Sequence, residues 1–417
     1  MFEFIRIGRK DIWLFLIALL FITFPWSERL NSVFIIAIIL FFLFDKNLLD
    51  KCKSVKYNFI KIFPFLFFFL LHILFLNFSA IDDDSIQTIE VKLSFILLPF
   101  IISCENYLSS KALQKIFTLF AFSLLLSVLY CIYQYYITYY AIEQWSKIFK
   151  RMYFSRIMHP GYYSNFFMLA FIYFSILLFN DNNLKSFEKK LFSFFNIFFF
   201  LIILILSSKV TFIVLFFFLS FLIWKKISFY YKGNKKYFFL FVSFVGLVLF
   251  FIITPGIRNR ILETKKEITE IGTDVDFDNS TGSRLAAYKV EWGLIKKNFW
   301  KGYGTGQSNN VLLNELKIKN YEDLAENKMH THQQFFHTWL DLGFVGISSL
   351  LFLFFYLFYF FIKNKNELVF WSTLCLFIYC LTDDALEIQV IIVFFTLLIT
   401  LLLFQHSANQ KKIISKT

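Results

Sequence analysis

Long apolar runs joined by short polar turns fill this chain up to residue 254; a polar stretch from 255 to 342 interrupts them, and three more apolar runs follow. Runs of about 17–25 apolar residues match a hydrocarbon core about 30 Å thick, where only segments that satisfy their own backbone hydrogen bonds persist. The pattern predicts an all-α integral membrane protein with about twelve transmembrane helices. They fall near 11–27, 30–45, 57–78, 88–104, 114–138, 160–179, 190–207, 209–225, 237–254, 343–362, 368–382 and 387–405. The expected division is 1–254 for helices one to nine, 255–342 for one large, mostly helical loop between helices nine and ten, and 343–417 for helices ten to twelve and a tail. No internal repeat is found, and the off-centre loop argues against the two-halves layout of many secondary transporters.

Within the loop the pattern changes. Residues 257–271 have charged helical spacing, 272–281 form a polar turn region, and Ser283 is placed to cap a helix with Leu285, Tyr288, Trp292 and Ile295 on one face. Gly302, Gly304 and Gly306 then break the chain into turns. From His332, the segment QQFFHTWLDLG predicts a helix entering the bilayer, with Gly343 and Gly346 at its junction with the tenth span.

Composition agrees with a membrane class. Of 417 residues 58% are hydrophobic and only 17% are charged, against about 25% charged in a soluble domain. Lys and Arg gather at Arg6 to Lys10, 46–56, Lys111 with Lys115, 185–190, 225–236, Lys363 with Lys365, and the tail. Such loops stay cytoplasmic, so both termini are expected inside. The acidic turns at Asp82–Asp84 and Asp383–Asp384, the Ser207–Lys209 turn and the long loop then fall outside. One loop breaks the rule: Lys147, Lys150, Arg151 and Arg156 are basic on the outer side, which means either a miscounted span or an anion-binding surface. The net charge of +13 suits anionic lipid headgroups as partners and requires no nucleic acid. The first run ends at Glu28 and Arg29 without a cleavage site, which predicts a retained helix. The five cysteines lie in apolar spans or a cytoplasmic loop and are expected as free thiols.

Taken singly, the polar candidates have plain readings. A loop arginine such as Arg284 is ordinarily solvated, a histidine such as His332 ordinarily opens a helix, and cations at helix ends such as Arg156 and Lys209 ordinarily snorkel to the interface. His332 and His337 are five residues apart and point in different directions on a helix, unlike zinc pairs spaced by four, so no metal site is expected. Asp274 to Asp278 (DVDFD) reads as a solvated acidic turn. The three glycines lack the flanking strand and helix of a dinucleotide fingerprint.

In combination, RLAAYKVEWGLIKKNFWKGYGTG followed by HQQFFHTWLDLGFVG resembles the signature of the O-antigen ligase and O-antigen polymerase superfamily. That signature has an Arg opening a helix, a Gly-x-Gly-x-Gly turn, then a His, an acidic residue and a Gly eleven positions after the His. Arg284, His332, Asp341 and Gly343 stand at those positions. Ser207 to Lys209 resembles the family's Ser-Arg pair with Lys for Arg, and Arg156 with HPGYYSNF resembles the segment before its sixth helix. Gln333 replaces an Asn and Phe299 a Pro; Lys209 keeps a charge but loses the planar fork that grips phosphate.

The resemblance implies a GT-C-like membrane glycosyltransferase of the bacterial inner membrane with a periplasmic active site. The donor would be an undecaprenyl diphosphate-linked glycan and the acceptor lipid A-core, with inversion and without metal or cofactor. Polymerase chemistry on carrier-linked repeat units is the alternative, then protein O-glycosylation; a polysaccharide or lipid exporter is the reading from a different class. His332 is expected to take the acceptor proton, with Arg284 catalytic beside it. Arg156, Lys209 and Arg284 are expected to bind the diphosphate. Gly302, Gly304, Gly306, Asp341 and Gly343 are expected to support the turns.

Overall fold

The computed structural model describes residues 8–78, 82–105, 107–139, 155, 157–181, 183–254, 257–259, 262, 265 and 280–414. Arg156, Lys147, Lys150, Arg151 and the DVDFD segment lie outside the described residues. All regular structure among the described residues is helical. The helices are α1 (Arg9–Thr23), α2 (Glu28–Leu43), α3 (Leu48–Phe75), α4 (Asp83–Lys92), α5 (Ser94–Cys104), α6 (Ser110–Tyr139), α7 (Pro160–Asn180), α8 (Ser186–Leu206), α9 (Lys209–Tyr230) and α10 (Asn234–Ile253). The polar stretch contributes α11 (Ser280–Lys297), α12 (Ser308–Ile318) and α13 (Glu322–Glu326), and the chain ends in α14 (Gln334–Asn364), α15 (Glu367–Cys380) and α16 (Gln389–Ile414).

Every expected span falls on a helix, and among the described residues eight are long and apolar enough to cross a membrane. The remainder fall on shorter pieces. Helices α1 and α2 have 15 and 16 residues, and at 1.5 Å per residue α1 is only about 22 Å long. Glu367–Thr382 and the Gln389–Gln405 part of α16 are shorter apolar stretches. Helices α4 and α5 count as one span, Asp83–Cys104, despite the break at Leu93.

The chain divides into two compact units, Met1–Ser123 with Arg284–Thr417, and Leu124–Ser283. In the first, α3 packs on α5 and α14, α16 on α5, and α15 on α14 and α16. Aromatic rings fill its interior. Phe394 meets Phe24 edge-on at 4.9 Å and Phe21 at 5.8 Å, an arrangement worth about 0.5–1.5 kcal/mol per pair beyond its buried area. Between helices in lipid such close packing replaces the hydrophobic effect as the cohesive force. In the second unit α7 packs on α8 and α9, and α9 on α10. His159 caps α7 by accepting from the Gly161 N–H at 3.2 Å, with Pro160 at the first helical position, where its missing N–H costs nothing. Ser207 ends α8 in the left-handed region (φ 47°), and Lys209 opens α9 two residues on.

Two features of the first unit matter below. At one end Arg9, Asp45, Lys51 and Glu105 tie α1, α2, α3 and α5 together. Arg9 lies 2.9 Å from Asp45 and 3.3 Å from Glu105, Lys51 lies 2.6 Å from Glu105, and Lys51 also pairs with Asp45. At the polar stretch, Val290, Leu294 and Ile295 of α11, Leu312 and Leu316 of α12, Leu324 and Ala325 of α13, and Leu340 of α14 form a small core of their own. This core corrects the expected face of α11. Leu285 and Trp292 stay 43% and 41% exposed, whereas Ala287, Val290, Glu291, Leu294 and Ile295 are buried. The reason is that α11 is covered by α12 and α13, partners a lone amphipathic pattern does not register. Ser283 lies inside this helix, which starts at Ser280.

Candidate active site

The glycine turn after α11 closes against the first turns of α14. Tyr303 N–H donates to the Leu340 carbonyl at 2.6 Å, Gly304 N–H to that of Asp341 at 2.9 Å, and Phe344 N–H to that of Phe299 at 3.0 Å. Gly302 and Gly343 both have φ of 64°, and a Cβ on Gly302 would sit 2.5 Å from the Gly343 nitrogen. A Cβ on Gly343 would strike the Trp300 carbonyl. Neither position has room for any side chain. Gly343 is non-helical inside α14, so the helix that opens at Gln334 is broken before it continues as a span. The Asp341 carboxylate accepts from the N–H of Gly306 at 3.0 Å and of Ser308 at 2.8 Å. It thereby satisfies the unpaired donors at the start of α12 and adds a favourable charge to that helix end. On the opposite side Gln307 donates to Asp82, the N-cap of α4, at 2.7 Å.

Three elements converge beside this turn. Helix α11 presents Arg284, Tyr288 and Glu291, spaced four and three residues apart and so on one stripe. The segment before α14 presents His332, and the turn between α15 and α16 presents Asp383 and Asp384. Arg284 donates to the Thr382 carbonyl at 3.3 Å, and Tyr288 donates to the His332 carbonyl at 3.0 Å. His332 Nδ1 lies 3.3 Å from Asp383 Oδ1. His332 has φ of 43°, a left-handed conformation rare for a residue with a Cβ. Contacts at its carbonyl and its ring hold it there, as befits strain stored at a working site. An imidazole bonded through Nδ1 to a carboxylate has its tautomer and plane fixed, which leaves Nε2 as the atom that exchanges protons.

The site is rich in carboxyl groups and poor in compensating cations. Burial works against ionisation of Asp383, but the hydrogen bond from His332 and the charge of Arg284 outweigh it and hold the carboxyl below its usual range. Asp384 is pushed up to about 6 by burial and by Asp383 and Glu387, against the pull of His337. Glu291 is fully buried, neither of its oxygens has a hydrogen-bond partner among the described residues, and burial with the nearby Asp384 charge lifts it to about 9. It therefore carries a proton at neutral pH. Burial likewise raises Tyr288 to about 12, so its hydroxyl remains a donor. Burial, with His332 and His337 nearby, lowers His330.

Behind the dyad runs a second, buried set of polar groups. His337 faces Ser308 Oγ at 3.0 Å, Thr331 Oγ1 at 3.0 Å, Glu387 at 3.4 Å and Asp341 at 3.6 Å. Lys92, inside the α4 span and fully buried, lies 2.5 Å from Glu387. Burial opposes ionisation of Glu387, but His337 and Lys92 more than offset it and bring the carboxyl down to about 2.

Of the residues singled out from sequence, Arg284, His332, Gly302, Gly304, Gly306, Asp341 and Gly343 come together in the first unit. Lys209 stands in the second unit at the start of α9. From the sequence Asp383 and Asp384 read as an acidic turn and Tyr288 as part of an apolar face, while Glu291, Gln334, Glu387 and Lys92 carry no motif. Two signals were present: Glu291 stands seven residues after Arg284, and Lys92 is a cation within the predicted 88–104 span. Among the described residues, donor atoms of His332, Asp383 and Asp384 lie within 4.8 Å of one another and could hold a cation. Asp383 already engages the His332 ring, and Arg284 adds positive charge beside it, both of which disfavour an added cation.

Residues 194–351 match the family model described as O-antigen ligase. The matched stretch holds Lys209, Arg284, the glycine turn, His332, Asp341 and Gly343; Asp383, Glu387 and Lys92 lie outside it. No curated protein matches the chain.

Proposed function

Residues 194–351 place this chain in the O-antigen ligase and polymerase superfamily, whose members are membrane glycosyltransferase-like enzymes, and from that premise we propose that it moves a glycan from undecaprenyl diphosphate to lipid A-core. The transfer would take place at the periplasmic face of the inner membrane. The observation that carries the reading is the His332–Asp383 dyad beside Arg284 on one polar face. His332 Nε2 takes the proton of the acceptor hydroxyl as its oxygen attacks the anomeric carbon. The bond from that carbon to the diphosphate oxygen breaks, and the lipid diphosphate leaves with the electron pair. Asp383 holds the ring and stabilises the imidazolium, a role a fixed carboxylate fills without moving. Attack opposite the leaving group inverts the anomeric centre.

Arg284 supplies a permanent charge for the diphosphate, worth about 1.5–3 kcal/mol per charge-assisted hydrogen bond. The resemblance assigns Lys209 and Arg156 to the same diphosphate, an assignment tested by substituting each in turn. The shared family domain also admits polymerase chemistry, in which the acceptor is another carrier-linked repeat unit. Purified protein is given the carrier-linked glycan and lipid A-core with EDTA present, and compared with His332→Ala and Arg284→Ala. Glycosylated lipid A-core, lost in both variants, is the expected result; lengthening carrier-linked chains would move the assignment to polymerase. Activity untouched by either substitution would sink the site.

A further inference from the structure

The turn that carries Asp383 is joined to the start of α14 by three hydrogen bonds, all made by one buried residue. Gln334 N–H donates to the Asp383 carbonyl at 3.2 Å, Leu386 N–H donates to Gln334 Oε1 at 2.7 Å, and Gln334 Nε2 donates to Glu387 Oε1 at 2.9 Å. The other Glu387 oxygen lies 2.5 Å from Lys92, so α4 is fastened to the same turn. Gln334 and Lys92 are both wholly buried. His332 precedes Gln334 by two residues, so whatever fixes Gln334 against the turn also fixes the 3.3 Å approach of His332 to Asp383.

Stability alone does not account for this arrangement. A buried ion pair is commonly no better than an apolar pair of the same volume, and a lysine inside a membrane span is costly and ordinarily functional. Building on the transfer reading above, we propose that Gln334, with Glu387 as the acceptor for its side chain, forms a brace that positions Asp383 against His332, and so acts as a positioning residue for the proton transfer.

The test uses the full-length protein. Gln334→Met keeps the volume and removes both side-chain hydrogen bonds to the turn, together with a 3.3 Å bond to Thr338 of its own helix. It is expected to lower kcat about 10²-fold, the cost of a displacement near 1 Å, with both KM values unchanged. The double variant Lys92→Met/Glu387→Gln removes the charges but keeps an acceptor for Gln334, and His337 retains Asp341. It should keep most of the activity. Lys92→Met/Glu387→Leu, equally neutral but without the acceptor, should fall with Gln334→Met while melting at the same temperature.

A readout independent of turnover is the ring ¹⁵N signal of His332, identified by its loss in His332→Ala. One fixed tautomer is expected in the wild type and in the Gln variant, and averaged tautomers in Gln334→Met. Equal activity of the Gln and Leu double variants, full activity of Gln334→Met, or a fixed tautomer in Gln334→Met would each overturn the brace. Loss of activity in the Gln double variant would overturn it too, because the ion pair itself would then be what matters. The transfer reading is judged separately, by the wild type against His332→Ala.

Discussion

Two of the charge clusters in the first unit are built on opposite plans. At the Arg9 end, two cations meet two carboxylates and each carboxylate touches both cations, so the charges balance. At the His332 end, Asp383 lies beside Arg284, Asp384 is raised by burial and by Asp383, Glu291 is raised by burial and by Asp384, and Glu291 has no hydrogen-bond partner among the described residues. The balanced cluster ties helix ends together. The unbalanced one must hold protons to exist at neutral pH, and a group that holds a proton under constraint is one that can hand it on.

Substitutions can break that contrast. The largest effect is expected at Asp383→Asn, which keeps the shape but frees the His332 ring to take the wrong tautomer; transfer should fall about 10³-fold with the melting temperature nearly unchanged. The mirror experiment is Glu105→Gln, which leaves Arg9 and Lys51 short of one partner. It should cost about 3 kcal/mol of stability, read by melting in detergent, and leave kcat alone. If Glu105→Gln lowered turnover of the folded protein, the two clusters would not differ in kind.

A smaller effect sharpens the proton account. Because the folded pKa of Glu291 is raised to about 9 from an ordinary 4.5, the folded state binds more protons than the unfolded state between those values. Stability should therefore decline as pH rises from about 4.5 to about 9. Glu291→Gln removes that contribution, so the variant should melt several degrees above wild type at pH 9 and match it near pH 5. Equal melting curves at pH 9 would show that Glu291 is not held protonated. The smallest expected effect is none: EDTA should leave transfer unchanged, and restoration of an EDTA-sensitive rate by a divalent ion would instead make His332, Asp383 and Asp384 a cation site.

Much of this was legible along the chain because it depends on local spacing. The apolar runs became helices, and the interval from His332 to Gly343 became the entrance of α14 with its break. Arg284 and His332 were found by motif. What could not be read is whatever two distant segments make together. Asp383 reaches His332 across 51 positions and Lys92 reaches Glu387 across 295, distances over which periodicity carries no signal. The face of α11 was misassigned for the same reason: pattern ranks residues by polarity, while burial depends on which neighbours arrive, here α12 and α13. Leu285 and Trp292 stayed exposed and the polar Glu291 went inside. Span ends shifted by a few residues, since hydropathy places a run but does not say where its helix stops: α1 ends at Thr23 and α2 at Leu43.

The contact between Gly302 and Gly343 bears on how other chains with this motif should be searched. With backbone against backbone at those two positions, a change to alanine is a collision, whatever the chemistry nearby. The glycine eleven places after the histidine is thus a gauge of spacing. A distant sequence that keeps the arginine and the histidine but carries a side chain at either glycine cannot fold this turn, and a search that weights the two glycines above the charged residues will reject such look-alikes first.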